Sequence, residues 1–399
     1  MAANGRFRHI VLGSGGIGSA TAHWLGASGA DVLVLEQFSI GHSMGASEDH
    51  SRIIRHAYHS TDYTNLTQSM FDTWTEVENL SGVKLVHTTG GVNLSVGSQA
   101  RSRIDSYVGA LDAAGHRYEV LDAGETMRRW PQWHLDPDTV TLYQAESGIL
   151  DIRKANATHV ALARAAGVTF LENTRVLRVE SYPDKVVVTT DKGTFEAETV
   201  SVCAGSWTAP VVSTLGVDLP ITLTAEQVTY WSTVNLRDFA PDRFGIWVYH
   251  DDDFTFYGFP VYGEVAVKAG RDEPGRVVTQ ETRSWEADLE NLGHLTDFMS
   301  RRLPAALGPE LMTKTCVYDL TPDRNFLLDF LPGHPRISVF VGAGHAAKFA
   351  SLMGRIMADL AVEGGTDYPI QGFRYDRPAI TDHGFDPTIR LLPDAVPAA

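Results

Sequence analysis

The sequence predicts a mixed α/β chain, with one unit wound around a parallel sheet and a second, interleaved unit built on an antiparallel sheet. Four stretches carry that expectation. Near the start, "HIVLGSGGIGSATAHWLGASGADVLVLEQ" reads as strand, glycine turn, helix, strand. In the middle, "TRVLRVESYPDKVVVTTDKGTFEAETVSVCAGSW" reads as a β-meander broken at Pro183-Asp184 and Lys192-Gly193. Later, "WVYHDDDFTFYGFPVYG" reads as antiparallel strands rich in aromatic residues, and "VGAGH" sets another glycine turn before a helix. At 399 residues the chain is long enough for two such units.

The first stretch has the more specific chemistry. Residues 9–12 form a short apolar run of the kind buried in a parallel sheet. Gly13, Gly15 and Gly18 then fall in the G-x-G-x-x-G spacing. The first allows the turn, the second admits a pyrophosphate, and the third lets helix and strand pack closely. The following helix, over about 17–27, aims its N-terminal N–H groups at the phosphates. Glu36, at the end of the second strand, accepts hydrogen bonds from ribose hydroxyls and repels a 2′-phosphate. This is a Rossmann-like dinucleotide fingerprint.

FAD and NAD share that fingerprint. No second such motif follows, and the meander and late glycine turn suit an extended FAD. With one dinucleotide cleft only, electrons come directly from an organic substrate. Cys203 lies in the apolar strand that ends the meander and is read as a small core residue.

Composition narrows the rest. A net charge of −16 disfavours nucleic acid and anionic membranes as partners. Two cysteines cannot build a disulfide framework, and no apolar run approaches the ~20 residues of a membrane span. The expectation is a cytoplasmic, soluble protein. No His/Cys spacing suggests a metal.

Four stretches, "SRIIRHAY", "FYGFPVYGEVAVKAG", "TCVYDLTPDRNFLLD" and "VGAGHAAKFASLMGRIMADLA", whose helix is expected to begin near Ala346, together with the fingerprint, resemble the monomeric sarcosine oxidase family. That group of D-amino-acid-oxidase-like flavoproteins includes N-methyltryptophan oxidase and is related to fructosyl-amino-acid oxidases. The resemblance covers nearly the whole chain. It implies an FAD-dependent oxidase that removes a hydride from the C–H beside a secondary amine, passes it to flavin N5, and yields hydrogen peroxide with oxygen. It implies a monomer.

Residue roles follow from the same resemblance. Arg55 and Lys348 would clamp a substrate carboxylate, and Arg52 would sit near the flavin. Apolar Ile53 and Ile54 between the two arginines suggest partial burial, where a guanidinium needs an anion. Lys268 would lie over the flavin and promote its reaction with oxygen, since a fixed ammonium favours developing negative charge; a strand lysine among apolar residues also suits an edge. Cys316 would carry the flavin as an 8α thioether. Further FAD contacts are expected at Gly16, Ile17, Gln37, Ser51, Val176, Ala204, Gly205, Gly342, Gly344, His345 and Lys348. Tyr257 would roof the substrate.

The sequence departs from the family in places. Asp272 stands where a histidine is common, Ala347 where an aromatic is common, and "ASEDHS" is more acidic than the usual His/Gly-rich version. These suggest a roomier, more polar pocket with Asp272 against the substrate. Oxidation of a sugar or glycoside hydroxyl with His345 as base, or of a glycated amine, is therefore an alternative; a flavoprotein without turnover is a third. The FAD domain is expected over 1–90, 146–220 and 314–399, and the substrate domain over 91–145 and 221–313. A helix over 283–308 would cover the second sheet, and the tail after Ile380 would be a surface extension.

Overall fold

The computed structural model describes residues 3–272 and 275–388. Residues 381–388 are mostly exposed, and the rest of the expected tail, 389–399, lies outside the described residues. Among the described residues the strands form sheets of eight, nine and three.

In the eight-stranded sheet, Ala3–Leu12 lies between Val32–Leu35 and Gly193–Val202 and runs parallel to both. The apolar runs are continuous because both faces are covered. Ile10, Leu12, Leu33 and Leu35 enter the cluster on one face, while Val11, Val32 and Val34 enter the cluster on the other. The meander forms as read, with Val176–Ser181, Val186–Thr190 and Gly193–Val202 antiparallel in succession. His334–Val341 joins the far end of Gly193–Val202 in parallel.

A helical layer covers one face. Gly16–Ala27 packs against Ile152–Ala165 and Ala350–Glu363. The last contact is close: a Cβ on Gly354 would fall 2.4 Å from the Ala20 Cβ and 2.6 Å from the Thr21 nitrogen. The Trp24 indole N–H donates to the Ser351 carbonyl at 2.9 Å across the same seam.

The nine-stranded sheet gathers strands from two separate parts of the chain. Gly91–Ser95, Glu119–Asp122 and Val140–Gln144 continue the sheet begun by Thr222–Trp231, Ile246–His250, Thr255–Phe259 and Val267–Arg271. Its pairs are antiparallel except where Gly91–Ser95 meets Ile246–His250. Glu310–Leu320 pairs along Thr222–Trp231, so the strand that holds Cys316 is hydrogen-bonded into this sheet. Leu289–Arg302 covers one face, with Phe298 stacked on Phe256 at 4.1 Å between ring centres. That helix is shorter than the segment suggested. The Asp288 side chain caps it by accepting the Glu290 and Asn291 N–H groups, which starts the helix there.

The small sheet pairs Arg52–Ile54 and Val86–Thr88 with Gly148–Leu150. It carries the "RIIRHAY" segment to the space between the larger sheets, where a cavity of about 1620 Å³ opens.

Candidate active site

The cavity begins at the glycine turn. Gly13 has φ +96, and a Cβ there would stand 2.5 Å from the Cys203 carbonyl oxygen. Only glycine lets the two backbones approach so closely. Gly15, Gly16 and Ile17 line the wall beside it. Gly18 does not; a Cβ there would meet the Gly13 carbonyl at 2.0 Å, so this glycine serves helix–strand packing.

Glu36 is buried at the end of its strand. Its oxygens accept the Ser14 N–H at 2.8 Å and the Phe38 N–H at 2.9 Å. Burial raises its pKa, but His42 and these two N–H groups outweigh that and keep it below its ordinary value. An ionised carboxylate with acceptor capacity to spare thus faces the cavity beside a crowded glycine cradle, and Ser14 Oγ in the turn is buried without a partner. These features fit a dinucleotide. Gln37, Val176, Ala204 and Gly205 continue the same wall, and Ser51, Gly342 and Gly344 line its farther part.

Lys268 sits at this farther part and is 2% exposed. Its strand is paired on both sides, so it is not an edge lysine. The ammonium donates to the Ser51 carbonyl at 3.0 Å, lies 4.6 Å from the Phe259 ring centre, and pairs with Asp49 at 2.5 Å. Asp49 also accepts from the Tyr230 hydroxyl at 2.5 Å and from Lys314 at 3.3 Å. Burial would raise its pKa, yet Lys268 and Arg52 hold it well below the usual carboxylate range. It has φ +90, a left-handed conformation that costs a non-glycine residue about 1–3 kcal/mol. Arg52 donates to the carbonyls of Ala46, Glu48 and Ser51, which ties the acidic loop around this ion pair.

The other cations lie toward the second sheet. Arg55 donates to Asn93 Oδ1, lies 5.9 Å from the ring centres of both Tyr58 and Tyr107, and has its Nε buried without a partner. Lys348 donates to the Tyr58 hydroxyl at 2.8 Å and to the His345 carbonyl at 3.0 Å. Burial, then Arg55, brings its pKa down to about 7. Among the described residues neither cation is paired with a carboxylate.

His345 completes a chain of hydrogen bonds. Its Nε2 donates to the Arg324 carbonyl at 3.1 Å, which leaves Nδ1 to accept from the Tyr58 hydroxyl at 3.3 Å. Burial, Lys348 and Arg324 lower its pKa to about 3. The ring is therefore neutral, with both nitrogens engaged, and no lone pair remains for a substrate hydroxyl. Ala346–Phe349 is a tight 3-10 turn, and the α-helix starts only at Ala350, so His345 and Lys348 do not share an α-helical face.

Asp272 lines the cavity. It forms a 2.6 Å ion pair with Arg324, which sequence reading did not single out, so its charge is already matched within the protein. Ala347 lines the cavity, as does Tyr257. Cys316 also lines it, partly buried; burial pushes its thiol up to about 11 although Arg52 pulls the other way. Cys203 is buried, with its sulfur 3.7 Å from the Thr21 hydroxyl. Among the described residues no group of three or more His, Cys, Asp or Glu is placed to hold a metal ion, and no helix is long and apolar enough to cross a membrane.

Comparison with known proteins agrees with this geometry. Monomeric sarcosine oxidase of Streptomyces avermitilis is 34% identical over 374 residues, 90% of this chain and 95% of that protein. N-methyl-L-tryptophan oxidase of Escherichia coli is 28% identical over 92% of this chain and 98% of its own length. Among solved structures, NikD, an unusual amino acid oxidase essential for nikkomycin biosynthesis, superimposes with a TM-score of 0.82 at 28% identity, covering 92% of this chain and 97% of NikD. The pattern of the FAD dependent oxidoreductase family matches residues 8–360, and the chain belongs to that family.

Proposed function

We propose that this chain is an FAD-dependent oxidase of secondary amines, with N-methyl or other N-alkyl amino acids as substrates. One observation carries the reading: Arg55 and Lys348 are cations in the cavity wall that, among the described residues, pair with no carboxylate. A buried cation is stable only with a counter-charge or dense hydrogen bonding, so the arrangement calls for an anionic ligand. The carboxylate of an amino acid supplies it, which is consistent with what the relatives named above act on.

Bound FAD would supply the two-electron acceptor for oxidation of the C–H beside the amine nitrogen to an imine, with oxygen as final acceptor and hydrogen peroxide as product. The glycine turn and Glu36 would hold the cofactor's pyrophosphate and ribose. Arg55 and Lys348 orient the substrate through its carboxylate, and the Tyr58–His345 hydrogen bonds keep Lys348 in place. Lys268 supplies a fixed ammonium that favours negative charge developing on oxygen, with Asp49 as its counter-ion. Cys316, a free thiol in the cavity wall, would be the residue to hold FAD covalently. The engaged nitrogens of His345 weigh against a carbinol substrate. The same reading takes the protein as a cytoplasmic monomer.

Anaerobic mixing of the FAD-loaded protein with N-methyl amino acids, glycated amines and glycosides tests this. Bleaching of the flavin by N-methyl amino acids is expected; bleaching by glycosides alone would overturn the reading. Acid precipitation decides the linkage at Cys316. The yellow colour stays with the pellet if the thioether is present, and Cys316→Ser releases it.

A further inference from the structure

The proposed carboxylate clamp does not use all of the positive charge at the substrate end of the cavity. Gly91–Ser95 is an interior strand of the nine-stranded sheet, hydrogen-bonded on both sides. Its even residues, Val92 and Leu94, enter the aromatic core. Asn93 and Ser95, both buried, point to the other face and each holds a guanidinium: Asn93 Oδ1 accepts from Arg55, and Ser95 Oγ accepts from Arg103 at 3.0 Å. Residues two apart on a strand are separated by about 7 Å. The strand therefore spaces two arginine heads by roughly that distance.

Arg103 lies on the helix Ala100–Ala114, lines the same cavity, and among the described residues pairs with no carboxylate. His250, the register partner of Ser95, lines the same cavity and feels the charge of both arginines. Its Nδ1 is bonded to the Thr255 hydroxyl at 2.9 Å, and its Nε2 is buried without a partner. Burial, then Arg103 and Arg55, lowers its pKa to about 3, so it is neutral. Asp272, the carboxylate that acts on His250, is matched by Arg324. Two unmatched guanidiniums and an unfilled polar atom on one wall exceed what a single carboxylate can satisfy.

We infer that Arg103, with His250, forms a second anion subsite, and that the substrate is an N-alkyl amino acid whose side chain ends in an acid group. The inference rests on the reading that Arg55 and Lys348 take the α-carboxylate. The side-chain acid then reaches Arg103, with His250 contributing a hydrogen bond.

The test uses FAD-loaded protein and two non-oxidisable ligands of equal length, pentanedioate and pentanoate, titrated by flavin difference spectra and by calorimetry. The diacid should bind roughly ten- to hundredfold more tightly, as one further charge-assisted contact provides. Arg103→Gln should erase that gap and leave pentanoate affinity unchanged, while Arg103→Lys keeps part of it. N-methyl-L-glutamate should exceed N-methyl-L-norvaline in kcat/KM by a similar factor, and only in the presence of Arg103. Equal affinities for the two acids, or a gap that survives Arg103→Gln, would overturn the inference. Arg55→Gln separates the two readings: pentanoate affinity that does not fall there means the clamp itself is wrong, whatever Arg103 does.

Discussion

Lys348 has the least secure charge in the site, and this gives the site a pH limit. Burial and Arg55 bring its pKa down to about 7 in the ligand-free protein. A carboxylate substrate binds the ammonium form, so affinity is full below that pH and falls as pH rises through it. KM for an N-methyl amino acid should rise between pH 7 and 9, approaching tenfold per unit. Lys348→Arg, whose guanidinium stays charged, should flatten that rise. A KM independent of pH in the parent protein would remove Lys348 from the clamp. At this scale the sequence is readable where a motif is local. Arg52, Arg55, His345 and Lys348 fall in short recognisable stretches, and all four line the cavity. Partners drawn from far along the chain are not readable. Asp49 sits in a stretch noted only as acidic, and its pairing with Lys268 needs a left-handed backbone and a strand more than two hundred residues away. Asp272 looked like a free carboxylate because Arg324 reaches it only after folding. Arg103 carried no signal, since its meaning depends on Ser95 across from it.

Elements were legible wherever periodicity and punctuation agreed. The strand–turn–helix–strand start and the three strands of the meander formed as read, because β-branched runs and Gly or Pro-Asp breaks point the same way there. Helix starts were less legible. Asp288 shortens one helix, and the tight turn at Ala346–Phe349 delays another. The seam between Gly16–Ala27 and Ala350–Glu363 shows what small residues in a helix mean. Gly354 has lower helix propensity than alanine, yet the seam has no room for a methyl group, because the nearest atoms include Thr21 and Ala20 backbone. Gly354→Ala should therefore destabilise by about 1–3 kcal/mol despite its better propensity. Thermal unfolding checks it: a melting temperature equal to or above that of the parent would mean the helices slide apart freely. Since Gly16 opens the helix that faces the cofactor, the variant should also weaken FAD retention.

The whole molecule joins two sheets around a cavity that neither sheet builds alone. The parallel sheet contributes the glycine turn and Glu36, the nine-stranded sheet contributes Lys268 and Cys316, and the small sheet brings Arg52 and Arg55 between them. Such assembly leaves many imidazoles buried. His23 and His159 stack at 5.7 Å in the helical layer, and burial lowers them to about 4 and about 3. His56, His250 and His345 are each lowered to about 3, and His9 to about 4, with burial the largest cause throughout. In the unfolded chain these groups protonate near pH 6.5. Between that pH and their folded values the unfolded state binds more protons, so acidification favours unfolding. Each fully linked histidine contributes a slope of about 1.4 kcal/mol per pH unit. Three carboxyls oppose this: burial raises Glu226 to about 8, Asp319 to about 6 and Asp359 above its ordinary value, so the folded state binds protons that the unfolded one releases. Eight imidazoles, counting His59 and His87, which burial also lowers, against three carboxyls leave stability falling with acid. The urea midpoint should fall gently from pH 8 to 7, where burial has lowered Lys268 to about 8 and Lys348 to about 7, and drop steeply from pH 6 to 5. His159→Gln and His23→Gln should each shallow that drop, because each removes one linked proton. A midpoint that rises as pH falls to 5 would mean these rings are charged in the folded protein and that the helical layer is wetter than its packing implies.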